Sequence, residues 1–169
     1  MVQRQKDRKI TVSSLKFMRL KIGVVMALFN SDITDKLLQG TLKELAALGV
    51  LEENIIILQV PGSFEIPLAV KALILDHQPD AVVCLGALIK GETDHYQYLA
   101  SEVSRGIGQV GLEFQIPVAF GVLTTHNLEQ ALERAGGVYG NKGAEAARAA
   151  VQMVKALRKL SLEEADEKS

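Results

Sequence analysis

The run Ala81-Val82-Val83-Cys84-Leu85-Gly86-Ala87-Leu88 decides the fold, together with the segment after it: Ile89-Lys90-Gly91-Glu92-Thr93-Asp94-His95, then Tyr96-Gln97-Tyr98-Leu99-Ala100-Ser101-Glu102-Val103. The apolar run has no helical period and reads as a strand buried on both faces. A glycine-punctuated polar loop ends it. His95 then opens a helical pattern, with Leu99, Val103, Ile107, Val110 and Phe114 on one face. Strand, loop and amphipathic helix together make one half of a βαβ unit.

The same alternation recurs on either side. Lys21 to Phe29 reads as a buried strand. Asn30 and Ser31 are expected to cap a helix marked by Ile33, Leu37, Leu38, Leu42, Leu45 and Leu48 and stopped at Gly49. Asn54 to Val60 is a second strand, broken by Pro61-Gly62-Ser63. Glu65 to Leu75 is a helix with Pro67 in its first turn and Ser63 as its expected cap. Val118 to Leu123 is the fourth strand. Leu128 to Ala135 and Ala144 to Leu160 are helices separated by the glycine-rich stretch 136–143. Four strands alternating with helices predict an α/β fold. Its form is a three-layer α/β/α sandwich around a four-stranded parallel sheet.

Ligands of such sheets bind beyond the carboxyl ends of the strands. Those ends are Phe29-Asn30, residues 60–65, residues 88–95 and residues 123–127, and all carry polar or glycine-rich sequence. His95 lies beside loop and helix N–H groups that attract an anion. Ser63, Phe64 and Glu65 offer an aromatic face and hydrogen-bonding groups for a flat heterocycle. Lys90, Thr93 and the backbone of Gly91 suit a phosphate, although the spacing is not that of a P-loop and no GxGxxG follows the first strand. Arg134 and Lys142 are further phosphate candidates. Against each functional reading stands a plain one: capping for Ser63, Glu65, His126 and Asn127, and solvated charge for Arg134 and Lys142. His77 reads as a surface residue.

At 169 residues and 48% hydrophobic, the chain suits a single globular domain. The domain is expected over residues 20–160, preceded by a basic arm (1–19) and followed by an acidic tail (161–169). Net charge is −1, with a surplus of Lys and Arg before residue 22 and of Asp and Glu after residue 160. That balance gives no overall pull toward nucleic acid or membrane. No apolar stretch is long enough to span a bilayer, and no apolar segment follows the basic arm to make a secretory signal. Cys84 stands alone inside an apolar run, which suits a buried thiol in a reducing cytoplasm. No Cys/His cluster has metal-ligand spacing, so no metal site is expected. The alanine-rich last helix fits either a core helix or one packed on a second chain.

Four segments carry a resemblance that none carries alone. They are Phe29-Asn30, VPGSFEIPLA at 60–69, GALIKGETDHYQYLASEV at 86–103, and PVAFGVLTTHNLEQALERAGGVYGNKGAEAA at 117–147. In this order and spacing they resemble the 6,7-dimethyl-8-ribityllumazine synthase family, from about residue 20 to residue 158. The resemblance implies a flavodoxin-like sandwich and a transferase of riboflavin biosynthesis without metal or redox cofactor. Such an enzyme condenses 5-amino-6-(D-ribitylamino)uracil with 3,4-dihydroxy-2-butanone 4-phosphate.

Carried over by motif, Phe29 stacks on the pyrimidine and Asn30 contacts the ribityl chain. Ser63, Phe64 and Glu65, with the backbone of Ala87, Leu88 and Ile89, bind the same substrate. Glu92 and Thr93 hold the phosphate-bearing substrate, and His95 is the acid/base group. Phe120 and Arg134 come from a neighbouring subunit, with Lys142 close by. The resemblance also implies pentamers and an association with riboflavin synthase. The short stretch from Gly136 to Gly143 favours a sixty-subunit shell, leaving free or paired pentamers open. The arm and tail read as solvated ends, with addition of the arm to a neighbouring subunit, or contact with an anionic partner, as the alternative. Leu28, Phe64, His126-Asn127 and Gly137-Val138-Tyr139 depart from the common pattern. Two alternatives stand beside this reading: an archaeal-type riboflavin synthase on the same scaffold, and a non-catalytic flavin-binding shell protein.

Overall fold

The computed structural model describes residues 20–166, with side chains described as far as Leu160. The basic arm, and with it both the solvated reading and the addition to a neighbouring subunit, lies outside the described residues. The elements run β1 (Ile22–Ala27), α1 (Ser31–Ala47), β2 (Ile55–Val60), α2 (Ile66–His77), β3 (Ala81–Ile89), α3 (His95–Phe114), β4 (Val118–Thr125), α4 (Leu128–Arg134), β5 (Ala135–Gly137), β6 (Gly140–Asn141) and α5 (Lys142–Asp166). The main sheet is parallel throughout, in the order β2-β1-β3-β4. The expected α/β sandwich is therefore the fold of the chain. Chain order reverses between β1 and β3, which opens a crevice at their carboxyl ends.

The central strands alternate between two cores. Ile22, Val24 and Met26 of β1 and Ala81, Val83, Leu85 and Ala87 of β3 face one side. There they meet Ile33, Leu37 and Leu45 of α1 and Ala146, Ala147, Ala150, Val151 and Val154 of α5. Val25, Ala27, Val82, Cys84 and Leu88 face the other side, against Ile66, Val70 and Leu73 of α2 and Val103 and Ile107 of α3. Both faces of β1 and β3 are covered, which is why their sequences read as unbroken apolar runs. The alanine-rich α5 thus lays one face on the chain's own core. Its Ala149 and Met153 remain exposed.

At the amino ends of the strands, Lys21 N donates to Asp80 Oδ2 (2.8 Å) and Arg158 Nη2 donates to Asp80 Oδ1 (2.6 Å). This fastens α5 below the sheet. The glycine-rich stretch between the last two helices forms the β5–β6 hairpin, which takes Ala135, expected in the preceding helix, as its first residue. Asn141 anchors it: its Nδ2 donates to Lys36 O (2.8 Å), and its Oδ1 accepts from Ala144 N (3.0 Å) to cap α5. The helical backbone of α5 runs to Asp166, past the expected end at Leu160.

Two expected caps are corrected by the structure. Asn30 makes no side-chain cap on α1, because it stands in the left-handed region (φ 62°) and sends its amide elsewhere. Ser63 does not cap α2, because residues 63–65 form a 3₁₀ turn that precedes the helix and buries the hydroxyl. Asn127 does cap α4: its Oδ1 accepts from Gln130 N (2.9 Å), and His126 N donates to Gln130 Oε1 (3.0 Å).

Candidate functional site

Three strand ends build one cavity. Beyond β1, Leu28 N donates to Val60 O (2.8 Å) and Phe29 N to Pro61 O (3.0 Å), so the extended pairing persists two residues past the strand. It delivers Phe29 to the rim with 70% of its surface exposed. Asn30 then turns the chain into α1. Its carbonyl accepts from Ile33 N and Thr34 N, and its Nδ2 donates across the crevice to Ala87 O (2.9 Å). Asparagine tolerates a positive φ better than most residues and carries the amide that this bridge needs.

Beyond β2, the 3₁₀ turn presents Phe64 and Glu65 outward and Ser63 inward. Ser63 fits because residue 86 on β3 has no side chain: a Cβ there would lie 2.6 Å from Ser63 Oγ. Beyond β3, Lys90 N donates to Thr125 O (2.8 Å), extending the ladder by one bond before the loop 90–94. Gln97 N donates to Asp94 O (3.0 Å) and starts α3, with exposed His95 as its first residue. The imidazole therefore stands where free N–H groups and the positive end of the helix dipole converge.

These segments enclose a cavity of about 520 Å³. It is lined by Phe29, Asn30, Ser63, Phe64, Glu65, Ala87, Leu88, Ile89, Thr93 and His95 among the residues singled out from sequence. Gly91, whose backbone is one of the phosphate candidates, lines it as well, and so do Gly62, Tyr96 and Leu99, which were not singled out as site residues. A signal for Leu99 existed, since it lies four residues after His95 and so on the same face of α3. The volume is that of a site for a small organic molecule. Aromatic rings, hydroxyls, a carboxylate and an imidazole around one apolar pocket can stack on a flat ring, fix its edge and move protons.

Five of the residues singled out do not line this cavity. Lys90 and Glu92 are exposed on the loop. Phe120 lies on edge strand β4, paired with Cys84 and 45% exposed. Arg134 ends α4, where its Nη1 donates to Gln130 O (3.1 Å) and lies 3.6 Å from a Glu133 carboxylate oxygen. Lys142 pairs with Glu145 at 2.7 Å. Among the described residues, no group of three or more His, Cys, Asp or Glu side chains could hold a metal ion, and no helix is long and apolar enough to cross a membrane.

Among known families, the one described as 6,7-dimethyl-8-ribityllumazine synthase matches residues 19–158.

Proposed function

The chain belongs to the 6,7-dimethyl-8-ribityllumazine synthase family, a family of transferases in riboflavin biosynthesis. From that premise we propose that it condenses 5-amino-6-(D-ribitylamino)uracil with 3,4-dihydroxy-2-butanone 4-phosphate, releasing phosphate and water. The observation that carries the reading is the cavity itself, which joins the Phe29 and Phe64 rings and hydrogen-bonding side chains to an imidazole at a helix N-terminus.

In this reading Phe29 and Phe64 stack on the pyrimidine, Asn30 meets the ribityl chain, and Ser63 and Glu65 bind the polar edge. The backbone of Ala87, Leu88 and Ile89 supplies further contacts. Glu92 and Thr93 hold the phosphate-bearing substrate near the loop N–H groups. His95 moves the protons that each step requires: the amine adds to the ketone, phosphate leaves, the ring closes and water is lost. An imidazole can accept a proton on one nitrogen and donate from the other, which suits a group that serves several steps. Holding two substrates in register supplies a further part of the rate, up to roughly 7–11 kcal/mol for ideal orientation.

Phe120, Arg134 and Lys142 act in a neighbouring copy's site. Their absence from their own chain's cavity supports that assignment, as does the exposed ring of Phe120 on an edge strand. An arginine fork matches a phosphate bidentately, which suits Arg134 to the leaving group. The chain assembles as a pentamer and, with its short β5–β6 hairpin, as a sixty-subunit shell that associates with riboflavin synthase in the cytoplasm. Residues 20–160 form the single catalytic domain between the arm and the tail.

The test mixes the purified protein with both substrates and follows lumazine absorbance and fluorescence, with His95→Ala alongside. Product above the uncatalysed rate, reduced in the variant, is the expected result. Tight flavin binding without product favours the non-catalytic shell reading, and riboflavin formed from lumazine alone favours the riboflavin synthase reading.

A further inference from the structure

The hairpin after α4 folds back over the helix end. Tyr139 N donates to Glu133 O (3.0 Å), and Gly137 passes so close that a Cβ there would sit 2.7 Å from Glu133 Cα. This return places the Tyr139 ring 4.7 Å from the guanidinium carbon of Arg134, within the range of a cation–π contact. The base of the hairpin is fixed by the Asn141 bonds to Lys36 and Ala144, so the ring stands on an anchored support. Arg134 is thereby held on three sides. The guanidinium carbon stands over the Tyr139 ring, and the Gln130 carbonyl and Glu133 carboxylate both meet Nη1. The Nε–Nη2 edge of the fork is what the side chain has left to offer an anion.

We propose that Tyr139 is a positioning residue for Arg134, setting the guanidinium plane so that its Nε–Nη2 edge meets the phosphate of the butanone substrate. The inference rests on the reading of Arg134 as a phosphate ligand. Arginine has many rotamers, and ordering it on binding works against affinity. A ring that holds the plane in advance removes part of that ordering. Tyr139 is 58% exposed, so removing its ring leaves the core intact.

The experiment uses the full assembled chain, steady-state kinetics for each substrate, and inorganic phosphate as a competitive probe. Tyr139→Ala is expected to raise KM for the butanone phosphate about two- to fivefold, the scale of an exposed cation–π contact. Inhibition by inorganic phosphate weakens by the same factor, while kcat and the pyrimidine KM stay unchanged. Tyr139→Leu, which keeps bulk without a π face, behaves like Tyr139→Ala. Tyr139→Phe restores the parent values. Added to Arg134→Ala, Tyr139→Ala changes nothing further. Tyr139→Ala with an unchanged phosphate KM, beside an Arg134→Ala that raises it, overturns the proposal and leaves the reading of Arg134 standing. Equal shifts for both substrates, or no rescue by Tyr139→Phe, also overturn it. An Arg134→Ala with an unchanged phosphate KM removes the reading of Arg134 and the proposal with it.

Discussion

The Asn30 side-chain amide donates to the Ala87 carbonyl oxygen at 2.9 Å and ties the turn after β1 to the end of β3 across the crevice. Asn30→Ala leaves that buried carbonyl without its donor and puts alanine into a left-handed conformation. The expected loss is about 1–3 kcal/mol from the orphaned acceptor, with further strain from the positive φ. The pyrimidine KM rises in parallel. Asn30→Gly loses the same bond without the strain, so its denaturation midpoint should lie above that of Asn30→Ala. Equal midpoints for the parent and Asn30→Ala would show that the bridge contributes nothing.

His95→Ala is expected to lower kcat by roughly ten- to a thousandfold, the lower side of a typical acid/base contribution. Affinity for either substrate should change far less. The comparison needs single-turnover rates with both substrates saturating. An unchanged rate would take His95 out of the chemistry.

Gly86→Ala drives a methyl group to 2.6 Å from Ser63 Oγ and 3.3 Å from Ile66 Cδ1 and Val122 Cγ1. Overpacking of this kind costs about 1–3 kcal/mol, and here it also pushes the 3₁₀ turn that carries Phe64 and Glu65. Ser63→Ala removes the nearest atom, so Gly86→Ala/Ser63→Ala should recover part of the lost stability. Chemical denaturation of the two single variants and the double variant gives the coupling directly. Simple additivity would mean that the clash lies elsewhere.

Burial raises the Cys84 thiol far above its ordinary value and keeps it protonated in the folded chain. A thiol reagent at neutral pH should therefore label Cys84 only as fast as the protein opens. The unfolded chain releases this proton above about pH 8.5 and the folded chain does not, so the thiol's contribution to stability is lost as pH rises from there. Unfolding free energies of parent and Cys84→Ala between pH 7 and 10 should converge at the alkaline end. Rapid labelling of the native protein would contradict the burial of the thiol.

The layers were legible because β1 and β3 are covered on both faces, and each of their residues had to be apolar. The segments that line the cavity were legible because polar and glycine-rich sequence was placed at strand ends, where a parallel sheet opens. Asn30 and Ser63 were misread for one reason. A polar residue before a helix reads as a cap, and only the fold brings Ala87 or the bare backbone of Gly86 within reach. The β5–β6 hairpin was hidden because its glycines and its Val138-Tyr139 tip have no period of either kind. The cavity positions of Gly62 and Tyr96 depend on how three distant segments curl together, which no local pattern encodes.

The bond between Lys21 and Asp80 joins partners 59 residues apart in sequence and closes beneath the pairing of β1 with β3. Every ladder in the main sheet is parallel, so each strand waits for a complete crossover before it finds its neighbour. Such topology slows the search, and the two most apolar strands stay unsheltered while it lasts. Recovery from denaturant should accordingly be a race between pairing within one molecule and clumping among many, won at low concentration and lost at high.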